Sequence, residues 1–417
     1  MKQSQLYFKT RKEISKEEIA ISASLLIRAN FIEKLTSGIY NFLPLGLRTI
    51  KKIEGIVREE MEAIGGQEIL MALLNPKRNW EQTKRWSTFK ALFKTQSRYG
   101  QWFALAPTHE EIITPMVKNF IFSYKDLPLY LFHISDKFRD EPRSKSGILR
   151  GKEFIMKDLY SFHTDEKDLE NYYEKVKKAY QRIFKRCGLK SFVVEASGGT
   201  FSRFSHEFQV ITPAGEDEFY CCSSCKFCRN KEIVKNVKKC PECGNTLKMF
   251  KGSEVGNIFK LKDKYSQAFD LKFRDKDGKN KNVMMGCYGI GISRLLGVIV
   301  EANYDKDGII WPKEISPFAY HLLSLSSGDA KIDKIIKKEA DLFYKKMMGK
   351  GIEVLYDDRN NVSSGEKLVD ADLLGLSYRV VISEKTIKNR GFELRERKNR
   401  KVRLLKLSDF DKIIKAK

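Results

Sequence analysis

No apolar run in this 417-residue chain approaches the roughly 18 residues that a membrane-crossing helix needs, which excludes a helical membrane protein. The first residues, MKQSQLYFKT, lack the apolar centre of a secretory signal, so the expected compartment is the cytoplasm. Acid is in short supply. Against 78 Lys and Arg there are 54 Asp and Glu, a net charge of +24. An imbalance of that sign favours a polyanionic partner such as RNA. Cysteine is scarce outside one place: of eight, six lie between Cys221 and Cys243. In a reducing compartment such clustering points to a metal site and away from disulfides. Apolar residues make up 42% of the chain, enough for a real core. The length allows two or three domains of roughly 100–200 residues each.

The densest chemistry lies in Asp136–His163, DKFRDEPRSKSGILRGKEFIMKDLYSFH. It reads as two strands joined by a basic loop from Pro142 to Ile148, which carries Arg143 and Lys145. Period-2 alternation puts Arg139 and Glu141 on one face of the first strand, and Arg150, Lys152, Phe154, Met156, Asp158 and Tyr160 on one face of the second. Guanidinium groups suit phosphates, an aromatic plane suits a purine, and a carboxylate suits an amine. That set matches an adenine nucleotide beside a small amino acid.

Other segments carry chemistry too. Pro44 opens a helical pattern of Leu47, Ile50, Ile53, Val57, Met61 and Ile64, ended by Gly65-Gly66 and followed by a predicted buried strand, Gln67 to Leu74. In FALAPTHEEIITP, Thr108 and Glu110 share one face of an extended segment and can accept hydrogen bonds from an ammonium group. The same stretch also reads as a helix start, Thr108 capping with Glu111 three residues on. EASGGTFSRFSHEFQV follows the amphipathic helix Asp165–Gly188. In MGCYGIGISRLLG, Gly286, Gly289 and Gly291 allow close backbone approach to a nucleotide, with Arg294 just beyond. The GxxGxG spacing and the early Arg294 argue against a dinucleotide loop.

Between these lies a compositionally distinct stretch. Cys222-x2-Cys225 and Cys240-x2-Cys243 form a zinc-ribbon pattern, because tight CxxC turns present paired thiolates to one tetrahedral ion. Cys228 could replace one ligand of the first pair, and Cys221 is a spare. From Tyr320 onward strands alternate with helices, which argues for a mostly parallel sheet covered by helices. Leu394–Leu407 is dense in Lys and Arg, either an RNA-facing segment or an exposed strand pair.

Taken in order, these segments resemble motifs 1, 2 and 3 of the class II aminoacyl-tRNA synthetases in their prolyl-tRNA synthetase form. The resemblance covers nearly the whole chain apart from the cysteine-rich stretch. It departs from the usual pattern at Ala106, in the loop Arg143–Gly147, in LKDKYS, and at Leu368 and Ser377. It implies an α/β multidomain protein with an antiparallel-sheet catalytic core in 1–213 and 253–315. A zinc-ribbon-like insert would occupy 214–252, and a C-terminal α/β anticodon-binding domain 316–417. It implies ATP-dependent attachment of L-proline to the 3′ end of its tRNA through a prolyl-adenylate, with Mg²⁺ accompanying ATP and a structural Zn²⁺. It also implies a homodimer through the motif 1 helix and no large editing insertion.

By the same resemblance Arg139 and Arg294 are catalytic, clamping phosphates. Arg139, Glu141, Arg150, Phe154 and Arg294 bind ATP. Thr108, Glu110, Arg139, Met156, Asp158, Phe162, His206 and Cys287 bind proline. Arg143, Lys145, Asp358, Arg359 and Lys367 meet tRNA, and Cys222, Cys225, Cys240 and Cys243 hold metal. Two alternatives are a threonyl enzyme and a non-catalytic RNA-binding paralogue. The threonyl enzyme needs a zinc ion in its active site, and no matching ligands are evident outside the insert. Intact Arg139, Glu141, Phe154 and Arg294 argue against the paralogue.

Overall fold

The computed structural model describes residues 1–7, 9–13, 20–142, 147–234, 238–406 and 409–410. They form two compact units. One holds Lys34–Asn41 and Ile53–Ala302; the other holds Met1–Glu33, Phe42–Lys52 and Asn303–Lys417.

Among the described residues, the first unit is built on a nine-stranded sheet. Its middle is four antiparallel strands in the order Leu247–Lys262, Met284–Gly291, Glu153–His163 and Leu129–Phe138. The helix Glu166–Arg186 packs on one face of these strands through Leu169, Tyr172, Val176, Tyr180 and Ile183, all buried as the 3.6-residue period predicts. Lys157 turns toward that helix, reaching the Tyr180 hydroxyl and the Tyr288 carbonyl. Its neighbours Met156 and Asp158 therefore point to the opposite face.

Several boundaries differ from the sequence reading. The first hairpin strand stops at Phe138, so Arg139 and Glu141 lie just past it. One further ladder bond, Arg139 N–H to Lys152 O at 2.8 Å, holds Arg139, and a tight turn (Glu141 N–H to Arg139 O, 2.8 Å) holds Glu141. The second strand starts at Glu153, with Arg150 in a 3₁₀ turn before it. The motif 1 helix runs Pro44–Glu62, and Gly65, at φ +89°, turns the chain as only glycine does readily. The predicted buried strand 67–74 shrinks to Gln67–Glu68 at the sheet edge, leaving Leu70 83% exposed. Past Glu68 the run leaves the ladder: Met71 joins the core cluster of Ile113 and Leu131 with Ile69 packed on it, while Leu70 faces solvent.

The cysteine-rich stretch is not a separate body. Asp217–Cys222 pairs with Leu247–Gly252 inside the nine-stranded sheet, so only the turns between them stand out from it.

The second unit carries a five-stranded sheet in the order Val354–Asp357, Tyr320–Ser324, Tyr378–Ile382, Gly391–Glu396, Val402–Lys406. The first three strands are parallel, as the alternation predicts, and the last two form an antiparallel hairpin. That hairpin is the strand-pair reading of Leu394–Leu407, of which Leu407 lies outside the described residues. Helices Ala330–Gly349 and Ser364–Leu374 connect the parallel strands. At Gly375 a Cβ would sit 2.0 Å from the Ile309 carbonyl oxygen, so no other residue fits there. The N-terminal residues, expected with the catalytic core, fold in this unit instead. Lys2 bridges Tyr356 in parallel, and Ser4 donates to Asp358 through its N–H and its hydroxyl, at 3.0 and 2.9 Å.

Candidate active site

The open face of the central strands of the first unit lines a cavity of about 230 Å³. Arg139 and Arg294 stand at one end. The Arg139 guanidinium lies 5.3 Å from the Phe154 ring centroid, and Arg294 is fixed by Leu149 O at 2.8 Å and by Glu254. Arg150 forks onto Glu141 at 2.8 and 3.0 Å and also reaches Glu216. Burial, and after it the charge of Arg294, presses the Arg139 pKa down. An anionic group placed between them would relieve their repulsion.

The other end holds Thr108, Asp158 and Cys287, with Met156 and Phe259 on the walls. Here the capping reading of Thr108 is not realised. The helix Glu110–Val117 starts from His109 without a side-chain cap, and the Thr108 hydroxyl instead donates to Glu110 Oε2 at 2.5 Å. The Cys287 thiol donates to Glu110 Oε1 at 3.0 Å. Glu111, expected as the cap's carboxylate, turns away to Arg85 at 2.8 and 3.1 Å.

Two expected proline contacts lie elsewhere. Phe162 is fully buried in the core with Tyr160, Leu131 and Met285. Alternation fixes its face but not its depth, and four residues past Asp158 is about 13 Å along a strand. His206 lines a different cavity, with its Nδ1 2.7 Å from the Tyr173 hydroxyl, and burial lowers its pKa to about 4.

Sequence reasoning missed three residues here. Arg85 is buried against the rings of Trp80, Phe89 and Phe201, and its Nη1 serves Glu111, Tyr265 and, at 3.5 Å, Glu110. Burial opposes its charge, yet Glu111, Tyr265 and Glu110 raise its pKa. Its only signal was an arginine among aromatics in NWEQTKRWSTF. Lys137 and His133 gather with His109 around Asp158. Burial alone would raise the Asp158 pKa, but the Lys137 ammonium beside it holds it well below the usual range. His109, His133 and Asp158 could together ligate a metal, so a ligand set does exist outside the insert. Lys137 Nζ, 3.0 Å from His133 Nε2 and 3.2 Å from Asp158 Oδ2, already stands in the cation's place.

In the cysteine-rich stretch, Cys222, Cys225, Cys240 and Cys243 bring their sulfurs within 4.8 Å of one another. Sγ–Sγ separations of 3.4 Å (Cys222–Cys243) and 3.5 Å (Cys225–Cys240) are close to the roughly 3.8 Å expected around tetrahedral zinc. Cys221 and Cys228 form a disulfide, contrary to the expectation of a purely metal-binding cluster. They sit directly opposite on adjacent antiparallel strands, a pairing that linear spacing cannot reveal.

In the second unit, all three expected tRNA contacts are engaged internally. Lys367 is buried, donating to Ser324 O at 2.8 Å, because it lies on the inner face of its helix. Arg359 forks onto Asp357 and bonds Asp370 at 2.8 Å. Asp358 receives Ser4. Arg143 and Lys145 lie outside the described residues.

Residues 93–303 match the family described as tRNA synthetase class II core domain (G, H, P, S and T), and residues 322–417 match the anticodon binding domain. A prolyl-tRNA synthetase from Giardia lamblia, solved with prolyl-adenylate, shares the fold with a TM-score of 0.78 at 19% identity, covering 93% of this chain and 74% of that one. The proline–tRNA ligase of Geobacter metallireducens is 32% identical across 100% of this chain and 99% of its own. That of Persephonella marina is 33% identical across 99% of this chain and all of its own; the alignment runs over 566 positions, so it carries a long segment absent here. With identity at that level over essentially both full lengths, the chain belongs to the proline–tRNA ligase family of class II aminoacyl-tRNA synthetases.

Proposed function

We propose that this chain activates L-proline with ATP and transfers it to its tRNA. The observation that carries the reading is one cavity lined by unlike groups: Arg139 over Phe154 with Arg294, and Thr108, Asp158 and Cys287, with Glu110 buried behind Thr108 and Cys287. Adenine stacks on Phe154, with Glu141 at its amino group and Arg150 alongside. The proline carboxylate attacks the α-phosphate, a P–O bond forms, and pyrophosphate leaves. Arg139 and Arg294 hold the charge that develops, and positioning supplies much of the rest. Glu110 and Asp158 accept from the ring ammonium, while Met156 and Cys287 close on the ring.

Carboxylates fit the Mg²⁺ that accompanies ATP. Glu254, on Arg294, and Asp217 line a cleft with Arg139 and Arg294, and burial with Glu254's repulsion pushes the neighbouring Glu207 up to about 8. A bound divalent ion would neutralise phosphate charge there. The four-cysteine cluster suits zinc. Arg143 and Lys145 meet the acceptor end of the tRNA, so Arg143→Ala should spare pyrophosphate exchange and weaken aminoacylation. The second unit receives the anticodon, and two chains pair through the motif 1 helix in the cytoplasm. Among the described residues no helix is long and apolar enough to cross a membrane.

The deciding experiment is pyrophosphate exchange with each amino acid in turn. Exchange driven by proline is expected; exchange driven by threonine, or by none, rejects the reading.

A further inference from the structure

The charged group beneath the amino-acid end of the cavity is built in an unusual way. Asp158 is 2% exposed, and every partner it has takes the same oxygen. Lys137 Nζ lies 3.2 Å from Oδ2 and the Tyr160 hydroxyl 3.3 Å; His133 Nε2, 3.3 Å away, accepts from Lys137, and His109 Nδ1 at 3.6 Å stands past hydrogen-bond reach. Oδ1 has no donor among the described residues, although Asp158 lines the cavity beside Thr108 and Cys287. A buried ion pair that served stability alone would satisfy both oxygens, because an unpaired buried acceptor is costly. Clamping one oxygen and leaving the other open is the arrangement of a carboxylate held for a ligand.

The clamp has a fixed cation. Lys137 is fully buried, and its ammonium also reaches the Ser135 hydroxyl at 2.8 Å and His133 Nε2 at 3.0 Å. His133 and Asp158 are direct cross-strand partners, so the hairpin register itself brings the imidazole to the carboxylate. Tyr160 ties the same oxygen to the Thr108–Glu110 segment, accepting from the His109 backbone N–H at 2.9 Å. The three groups that could ligate a metal thus surround a tethered ammonium, whose occupancy does not depend on metal supply.

We propose that Lys137 is a positioning residue for the amino-acid substrate, standing in for a metal ion and fixing Asp158 through Oδ2 so that Oδ1 accepts from the ring ammonium of proline. This rests on the proline reading above. That reading fails separately, if the unaltered protein shows no proline-dependent exchange.

The test uses the full chain with Lys137→Met, Asp158→Asn and the double variant, reading KM for proline, KM for ATP and Tm. Lys137→Met is expected to raise KM for proline about tenfold or more, the scale of a disturbed charged hydrogen bond, while KM for ATP stays unchanged. The double variant removes both buried charges. It is expected to regain thermal stability relative to either single variant, yet keep the raised KM for proline. An unaltered KM for proline in Lys137→Met overturns the proposal. So does a double variant whose KM recovers together with its Tm, since Lys137 would then only balance a buried charge. A joint rise in both KM values also overturns it, as it would report collapse of the pocket. If Lys137→Met is too unstable to assay, Lys137→Gln, which keeps a donor without the charge, takes its place with the same readings.

Discussion

On the proposed reading, Arg139 and Arg294 are the pair whose loss should be most costly to chemistry, because both would hold the phosphate charge that develops. Arg139→Ala and Arg294→Ala should each remove about 3–4 kcal/mol of transition-state stabilisation, by analogy with the loss of one oxyanion donor. Pyrophosphate exchange close to normal in both variants, with unchanged melting, would contradict the assignment. These two residues were legible because their spacing to Glu141 and to the glycines is local in sequence. Arg85 was not, since its meaning comes from Glu110 and Glu111 two elements away and from an aromatic cage assembled only in three dimensions. The histidines make a second residue-scale case. His109, His206 and His321 are lowered to about 4 by burial, and His133 and His163 are also lowered. The unfolded chain takes up protons on His109, His206 and His321 near pH 6.5, whereas the folded chain refuses them until about pH 4. Unfolding therefore binds protons in that window, and each of the three should cost about 2 kcal/mol of stability by pH 5. Denaturant midpoints at pH 7 and pH 5 check this. A midpoint that does not fall at pH 5 would mean the imidazoles are not held neutral.

At the scale of elements, the strand Leu247–Lys262 links two sites. At its start Leu247 pairs with Cys222 beside the thiol cluster; further along, Glu254, Gly256 and Asn257 line the cavity. Zinc at the cysteines would anchor the strand end that leads to Arg294's partner Glu254. One tightly held zinc per chain is expected, and Cys240→Ser with Cys243→Ser should lower both Tm and the affinity for ATP. Protein that is metal-free as purified, or a variant of unchanged stability, would show that the thiols gather without an ion. The sequence pattern picked out the four cysteines that the structure brings together because CxxC turns are local. It placed them in a module of their own because a shift in composition looks like a domain boundary, and strand pairing across thirty residues leaves no such mark. The same limit explains the edge strand at Gln67. The apolar run from Ile69 to Leu74 looks buried, but burial depends on a neighbour that a linear pattern does not name.

For the whole molecule, order and spacing of motifs made the architecture readable: a large antiparallel sheet bearing the cavity, and a second unit with a parallel sheet. The attachment of Met1–Glu33 to that second unit was not readable: the apolar period of the helix Ile21–Arg28 shows that a face is buried but not which unit buries it. The chain's economy has a further consequence. Among the described residues, the stretch between Ile211 and Leu247 holds only two short strands, a 3₁₀ turn and the cysteine turns, and both strands belong to the nine-stranded sheet. It offers no core from which to build a second hydrolytic pocket. A cluster of four protein thiolates leaves no open coordination position for a substrate. Alanine, smaller than proline and carrying the same carboxylate, should still enter the amino-acid end of the cavity, since an apolar wall rejects a smaller side chain by only ~1–3 kcal/mol. Alanine-dependent exchange should therefore be measurable, and alanyl-tRNA for proline should persist when incubated with this protein alone. Rapid deacylation by the purified chain would mean that a hydrolytic site exists outside the stretch between Ile211 and Leu247. Deacylation that stops when the four cysteines are replaced would place that site within it.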